Sequence, residues 1–488
     1  MPGTPSTPIS RRRIIGLVAT AFFGTAALAA CSSSTAPAAQ PTAASAQSSS
    51  SPAGQPTASQ ATSSQPTTAP AQSASGGTNE AITLYWDTFR GIGTPWPQHM
   101  IDRYQKQYPN RKMILRPIPV PNSQQEAYPK MYAMYAAGTL GDNFAFDPSH
   151  WEFYRAVPQG ILRALDDYVA QDKLDLTQWY KPFMDMQYYK GKLWGLPSWG
   201  WSGHDGLHFN DLMLQEAGIT LPDYESSDWT MNKVHEVLLK LFKKSGNQVD
   251  HYSIDLSLAA IGVTTIARAY NADIISEDGK KALLTNSKTL PAMQWIWDLC
   301  QQDKIVSLPG SYQGANTAFF ASGKVACIQG GSLSVFQIDR AIKDPKLAKL
   351  KSVLFPKRSD GKHPSQLRGG TWNVNAKSKY PYEAWQFVKL LSDHDGILTM
   401  DTEGNEGALV RPDVMTDKYF TANPNFQPFV KNLLTAMPAI VPANARGTEY
   451  ETTFAQSFAQ FYLGKAPFKD ALNNAENAVQ KVLDEPMT

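Results

Sequence analysis

Residues 32–79 carry no charged and no aromatic side chain and consist almost wholly of Ser, Thr, Ala, Pro, Gln and Gly. Such a stretch cannot bury enough apolar surface to offset the entropy lost on ordering. Whatever folds in this 488-residue chain must therefore fold within residues 80–488. The excluded stretch is expected to be a flexible tether. As a coil of 48 residues it spans roughly 40 Å root-mean-square.

The segment ahead of it reads as an export signal. Arg11-Arg12-Arg13 is followed by an apolar run over residues 14–30, at the short limit of a membrane span of about 17–25 residues. The run ends in Leu28-Ala29-Ala30-Cys31, which resembles a bacterial lipobox. The resemblance implies that the Cys31 thiol receives a diacylglyceryl group and becomes the mature N-terminus. Two acyl chains hold a protein stably at a bilayer. The competing reading is a retained anchor helix. Ser10 to Ile15 also resembles the twin-arginine export motif, with Arg11 and Arg12 as its pair. Arg-rich signals of the general secretory route have similar flanks. The expected layout is a signal peptide over 1–30, then the lipidated cysteine and tether over 31–79.

The formal charge of +2 belongs to that terminus. With Arg11, Arg12 and Arg13 set aside, residues 80–488 hold 42 basic against 43 acidic groups. A near-neutral globule argues against a nucleic-acid partner, whose footprint is a basic excess. Three cysteines exclude a disulfide-rich scaffold and any multi-cysteine zinc module.

The globule opens with a strand-like run at Ala81 to Trp86, then a Gly/Pro loop at 91–97. Helical patterns follow over 98–107, 124–137 and 149–157, interleaved with strand candidates at 112–117 and 144–146. Alternating strands and helices argue for a mostly parallel α/β sheet. Later helices are expected at 233–243, 290–299, 382–391 and 468–483, with a strand at 325–328. Ser226-Ser227-Asp228 reads as the cap of the first of these. Lys190-Gly191-Lys192 reads as a tight turn in which Gly supplies the positive φ.

Four blocks, in order, resemble family 1 of the extracellular solute-binding proteins of ABC importers, the maltose-binding-like group. They are YYKGKLWGLPS at 188–198, LHFNDLMLQEAGI at 207–219 with Asp228-Trp229-Thr230, FASGKVACIQGG at 320–331, and 355–391 around LRGGTWNVNAKSKY. Each is soft alone; their order and spacing cover essentially all of residues 80–488. The resemblance implies an α/β fold of two lobes, each a mostly parallel sheet flanked by helices, joined by hinge strands. On that pattern the N-terminal lobe is 80–198 plus 372–426, and the C-terminal lobe 199–371 plus 427–488. The implied function is capture of a solute in the interlobe cleft by a monomer, and delivery to permease subunits in the membrane. No cofactor or metal is implied.

A saccharide has apolar ring faces and polar edges. A site for one needs flat aromatics and planar polar side chains. Four tryptophans fall where the family places its cleft. Trp86 ends the first strand, and ligands of open parallel sheets lie beyond strand C-termini. Trp199 and Trp201 follow the first crossover proline, and Trp372 follows Gly369-Gly370 at the return crossover. Tyr450 lies in the late segment that returns to the cleft in relatives. Asp87, Arg90, Asp147, His150, Asp205, Arg368 and Glu451 are the nearby polar candidates. The competing reading for each tryptophan is hinge packing, and for each charge a solvated surface. One departure stands out: the third block continues Gly330-Gly331-Ser332 where relatives place a Trp, which puts the number of bound sugar units in doubt.

No catalytic constellation is present in the sequence. There is no nucleophile elbow, zinc-protease helix or phosphate loop. His235-Glu236 has Leu239 where a second zinc-binding His is needed. His204 and His208, four apart in an expected strand, sit about 13 Å from each other, too far for one zinc. Cys300 and Cys327 are expected as buried thiols, with a disulfide as the alternative in an oxidising compartment. Beside the saccharide the sequence leaves open another polar solute, a polyamine, glycerol phosphate or peptide, and a tethered glycan hydrolase.

Overall fold

The computed structural model describes residues 81–120, 126–404 and 407–486, and of His150 the backbone alone. Arg11, Arg12, Cys31 and the tether lie outside the described residues. No described helix is long and apolar enough to cross a membrane.

Beside two short hairpins, two larger sheets organise the described residues. Their strands are β1 (Ile82–Thr88), β2 (Arg111–Pro117), β3 (Asn143–Phe144), β4 (Leu196–Trp201), β5 (Gly206–Asn210), β6 (Cys327–Gly330), β7 (Leu350–Leu354) and β8 (Arg368–Val374). The first sheet has the order β2-β1-β3-β8-β4 and the second β6-β5-β7. In the first, β1 runs parallel to β2 and β3, and β8 runs against both β3 and β4. In the second, β5 runs against β6 and β7. Parallel bridges from Tyr252, Ile254 and Asp255 extend that sheet beyond β6. Each sheet is thus mostly parallel with one reversed strand. This is the two-lobed α/β architecture expected of the chain.

The reversed strands are the connections. β4 ends the first sheet and continues through residues 202–205 into β5 of the second. β8 returns from the second half and lies on β4, with Arg368 opposite Trp201 and Trp372 opposite Leu196. A third segment joins them: Leu367 donates to Met437 at 2.6 Å and accepts from Ala439 at 3.2 Å.

Among the described residues eight helices of ten or more residues flank the sheets: α1 (Trp96–Gln107), α2 (Ala127–Ala136), α3 (Met231–Leu241), α4 (Ala260–Ala269), α5 (Ser332–Ala341), α6 (Pro381–Ser392), α7 (Gly447–Tyr462) and α8 (Phe468–Asp484). Local chemistry explains most boundaries. Asn210 accepts from the Leu212 amide at 3.2 Å and starts the short helix after β5. The cap of α3 is instead Thr230, which accepts from the Lys233 amide at 3.1 Å. Ser226 and Asp228 form a turn before it, because Trp229 must bury and bond the Leu354 carbonyl. In the 190–191 turn Lys190 also takes a positive φ, 52°, beside 75° at Gly191. The pattern at 149–157 is no single helix. A 3₁₀ turn at Pro148–His150 and a helix at Glu152–Ala156 are broken by Trp151.

Cys300 and Cys327 are buried and unbridged. Burial pushes the Cys300 thiol up to about 12 and that of Cys327 well above its usual range. A thiol reagent should therefore spare both in the folded protein and titrate both after denaturation. Prompt reaction in native buffer would contradict this packing.

Candidate functional site

The C-terminal ends of β1 and β3 converge on β4 and β8. Beyond β1 the chain turns at Thr88, whose hydroxyl accepts the Arg90 amide at 2.9 Å. That turn sends the Arg90 guanidinium inward, where it forms a buried ion pair with Asp147 from the segment after β3. Tyr128 of α2 donates to Asp147 at 3.0 Å, and the Thr371 amide of β8 donates to it at 3.3 Å. The guanidinium also lies 4.7 Å from the centre of the Trp199 ring, a cation–π contact. Gly370 makes this possible: a Cβ there would overlap the Trp199 indole and crowd the Asp147 carboxylate.

Three residues along β8 lies a second group. Arg368 pairs with Glu451 at 2.9 Å and donates to the Gln366 side chain at 2.8 Å. Its guanidinium is 5.4 Å from the centre of the Trp151 ring. Trp151 meets Tyr450 edge to face at 6.1 Å. These rings, with Thr264, Asp273 and Gln366, line a cavity of about 10 Å³. That is below the roughly 300–1,000 Å³ usual for ligand pockets, so a larger occupant needs the two lobes to part. Trp201 covers the second-sheet side. Its ring is 5.3 Å from that of His204, and a Cβ on Gly331 would come within 2.8 Å of it. The ring of Trp201 thus fills the space beside Gly331.

Of the residues nominated from sequence, Asp147 and Trp199 come together, as do Tyr450 and Glu451. Trp201 stands between the two groups on the hinge. Four are corrected, one of them Asp205, which is fully buried in the hinge against Asn432. Trp86 is fully buried among Trp96, Trp372 and Phe387. Trp372 is buried in the same cluster, stacked on Trp96 at 5.9 Å. Asp87 faces the other side of β1, held by Arg116 at 2.6 and 2.7 Å and by the Gly141 amide at 2.6 Å. Strand alternation sends Trp86 into the core and Asp87 toward β2, and the cleft begins only at Arg90. The side chain of His150 lies outside the described structure. Trp151 is a site residue that the sequence does not nominate, because it falls inside the helical pattern read over 149–157.

Asp205 sits in the hinge between β4 and β5, apart from both groups. Asn432 donates to it at 2.6 Å, and burial raises its carboxyl to about 7. Nearby, burial and then the Arg368 charge hold His204 down to about 4. Burial also holds His208, which bonds Ser352 at 2.9 Å, down to about 3. The signs oppose. Each histidine binds its proton more weakly folded than unfolded, so it withdraws stability as pH falls below about 6.5. Asp205 binds its proton more tightly folded, so it withdraws stability as pH rises from about 4 to 7. Other buried carboxyls, Asp255 and Asp273, are raised as well, so the histidine contribution is read as a difference between variant and parent. As pH falls from about 6.5 to 4, the melting temperature of His208→Gln should rise relative to that of the parent. A difference that stays constant across that range would contradict the buried neutral His208.

The charged groups of the site are paired within it: Arg90 with Asp147, Arg368 with Glu451, and Arg268 with Asp273 at 2.8 Å. Beside them the Ser149 and Ser198 hydroxyls and the indole N–H groups of Trp151 and Trp201 are buried without a protein partner, and in the hinge so is Oδ1 of Asp205. No cluster of His, Cys, Asp and Glu among the described residues is arranged to hold a metal ion. Two more open grooves lie away from the nominated residues, one around Tyr85, Arg116 and Lys377 and one around Trp229 and Arg358.

Residues 99–428 match the family described as bacterial extracellular solute-binding protein. The arabinooligosaccharide-binding protein of Bacillus subtilis is 21% identical over 244 residues, 49% of this chain and 52% of the relative. The match therefore spans about half the length of that curated relative. The ABC substrate-binding protein Lmo0181 of Listeria monocytogenes, solved with cycloalternan, superposes with a TM-score of 0.70 at 17% identity, over 83% of this chain and 99% of that one. UgpB of Mycobacterium tuberculosis, solved with glycerophosphocholine, gives 0.69 at 16% identity, over 82% and 98%.

Proposed function

The chain belongs to the bacterial extracellular solute-binding proteins, and on that footing we propose that it captures a neutral saccharide between its lobes. It delivers the sugar to the permease of an ABC importer. One observation carries the sugar: the Arg90–Asp147 and Arg368–Glu451 pairs neutralise one another, while serine hydroxyls and tryptophan N–H groups beside them are buried without a protein partner. A polyamine needs unpaired carboxylates, and a phosphate ester needs an unpaired cation or a helix N-terminus. A saccharide needs ring faces and uncharged donors and acceptors. The cycloalternan and arabinooligosaccharide relatives support the same class. The role is binding rather than turnover.

The working protein is a monomer held outside the cytoplasmic membrane. Cys31 carries the lipid, residues 32–79 are the leash, and Arg11 and Arg12 belong to the removed export signal. The N-terminal lobe is 80–198 plus 372–426 and the C-terminal lobe 199–371 plus 427–488. The ligand-facing residues are Asp147, Trp199, Trp201, Tyr450 and Glu451, with Arg90 and Arg368. The sugar shifts the open–closed balance only through its differential affinity for the two states.

Melting curves against mono- and oligosaccharides, spermidine and glycerol phosphates test this. A ligand at 100 times its dissociation constant adds about 2.7 kcal/mol of stability. A shift with one sugar series, lost in Trp201→Ala, supports the class and the site together. A shift confined to a charged solute refutes the saccharide and leaves the importer role standing.

A further inference from the structure

Trp151 holds φ at 63°, in the left-handed region, where a bulky side chain is an outlier. Such a conformation persists only where the surroundings over-determine it. The neighbours of Trp151 face one way and its ring the other. Phe153 and Ala156 bury against Phe144 and Phe146 of the first-sheet side. The Trp151 ring is buried instead with Leu207 and Phe209 of β5, Ala260 of α4 and Phe454 of α7. Gly447, the first residue of α7, forms the floor beneath it, and a Cβ there would overlap the indole. The next residue makes a second crossing contact. The Glu152 carboxylate accepts from Tyr132 of α2 at 2.8 Å and from Thr448 of α7 at 2.9 Å.

We propose that Trp151 and Glu152 form an interlobe latch, in which the indole seats on Gly447 and the carboxylate ties Thr448 to Tyr132. The inference rests on the two-lobe capture reading but not on the identity of the solute. Every contact of the latch is protein to protein, so the free protein samples it and the sugar raises its population. Trp151 and Glu152 are positioning residues. The seated indole sets Tyr450 and Arg368 at the cleft, and the left-handed backbone at residue 151 relaxes when the ring leaves.

The test is a spin-label distance between Lys106→Cys on α1 and Leu239→Cys on α3, in the full chain carrying Cys31→Ser. Both label sites are exposed, and the native Cys300 and Cys327 are buried. The free protein should show a short-distance population that disappears in Gly447→Ala. Trp151→Gly removes the plug while suiting the left-handed backbone, so it decides the matter where Gly447→Ala folds poorly. In both variants, affinity for any sugar found in the melting panel should fall at least tenfold. Distance distributions in folded Trp151→Gly identical to the parent overturn the latch, as does a parent that never populates the short distance. If no sugar binds the parent, the saccharide reading fails, and the distances still decide the latch.

Discussion

Asp147→Ala should destabilise the protein by about 3–5 kcal/mol, the usual range when one partner of a buried ion pair is removed. Arg90 and Asp147 are 1% and 0% exposed, so water does not replace the lost carboxylate. The same deletion strips the acceptor from Tyr128 and from the Thr371 amide, and each stranded donor adds to the penalty. Asp147→Asn keeps the shape and one acceptor, and should cost less in stability than Asp147→Ala. Both variants should lose solute binding, because the carboxylate fixes Arg90 against Trp199. Urea unfolding of the two variants beside the parent measures the difference. An Asp147→Ala midpoint equal to that of the parent would show that the pair contributes nothing.

Trp372→Ala should cost a similar amount, about 3–5 kcal/mol, for a different reason: it empties a fully packed aromatic core. The Trp372 ring is fully buried, with the Trp86 and Trp96 rings at 5.8 and 5.9 Å. Among the described residues its ring contacts are with Trp86 and Trp96, not with the rings of the candidate cleft. Trp372→Phe, at a temperature where it remains folded, should therefore bind solute with the affinity of the parent. Trp201→Ala should show the reverse, a small loss of stability and a large loss of affinity. Affinity lost in Trp372→Phe at unchanged stability would return Trp372 to the binding site.

The contrast shows what the sequence could and could not disclose. The alternation of Ile82, Leu84 and Trp86 with outward residues marks β1 plainly, and the structure buries those three. The same alternation puts Trp86 in the core, while its position at the strand end points to the cleft; packing decides for the core. Gly369-Gly370 signals a close approach, and Gly370 does carry one, against Trp199 and Asp147. Trp372, two residues on, lies past the β8 bulge between Gly369 and Thr371, an irregularity no single sequence announces. The longest omission is α7. Tyr450, Phe454, Phe458 and Tyr462 recur every four residues and face the core. The small polar residues between them lack the charge contrast that makes α8 legible. Pairings such as Arg90 with Asp147 depend on tertiary contacts 57 residues apart, beyond the reach of local pattern.

The most direct measurement is native mass spectrometry of the protein in an equimolar mixture of neutral oligosaccharides, spermidine and glycerol phosphates. The proposed function predicts a one-to-one adduct with the mass of a neutral saccharide, absent in Asp147→Ala and Trp201→Ala and present in Trp372→Phe. A one-to-one adduct with a charged solute, and none with any saccharide, would contradict it.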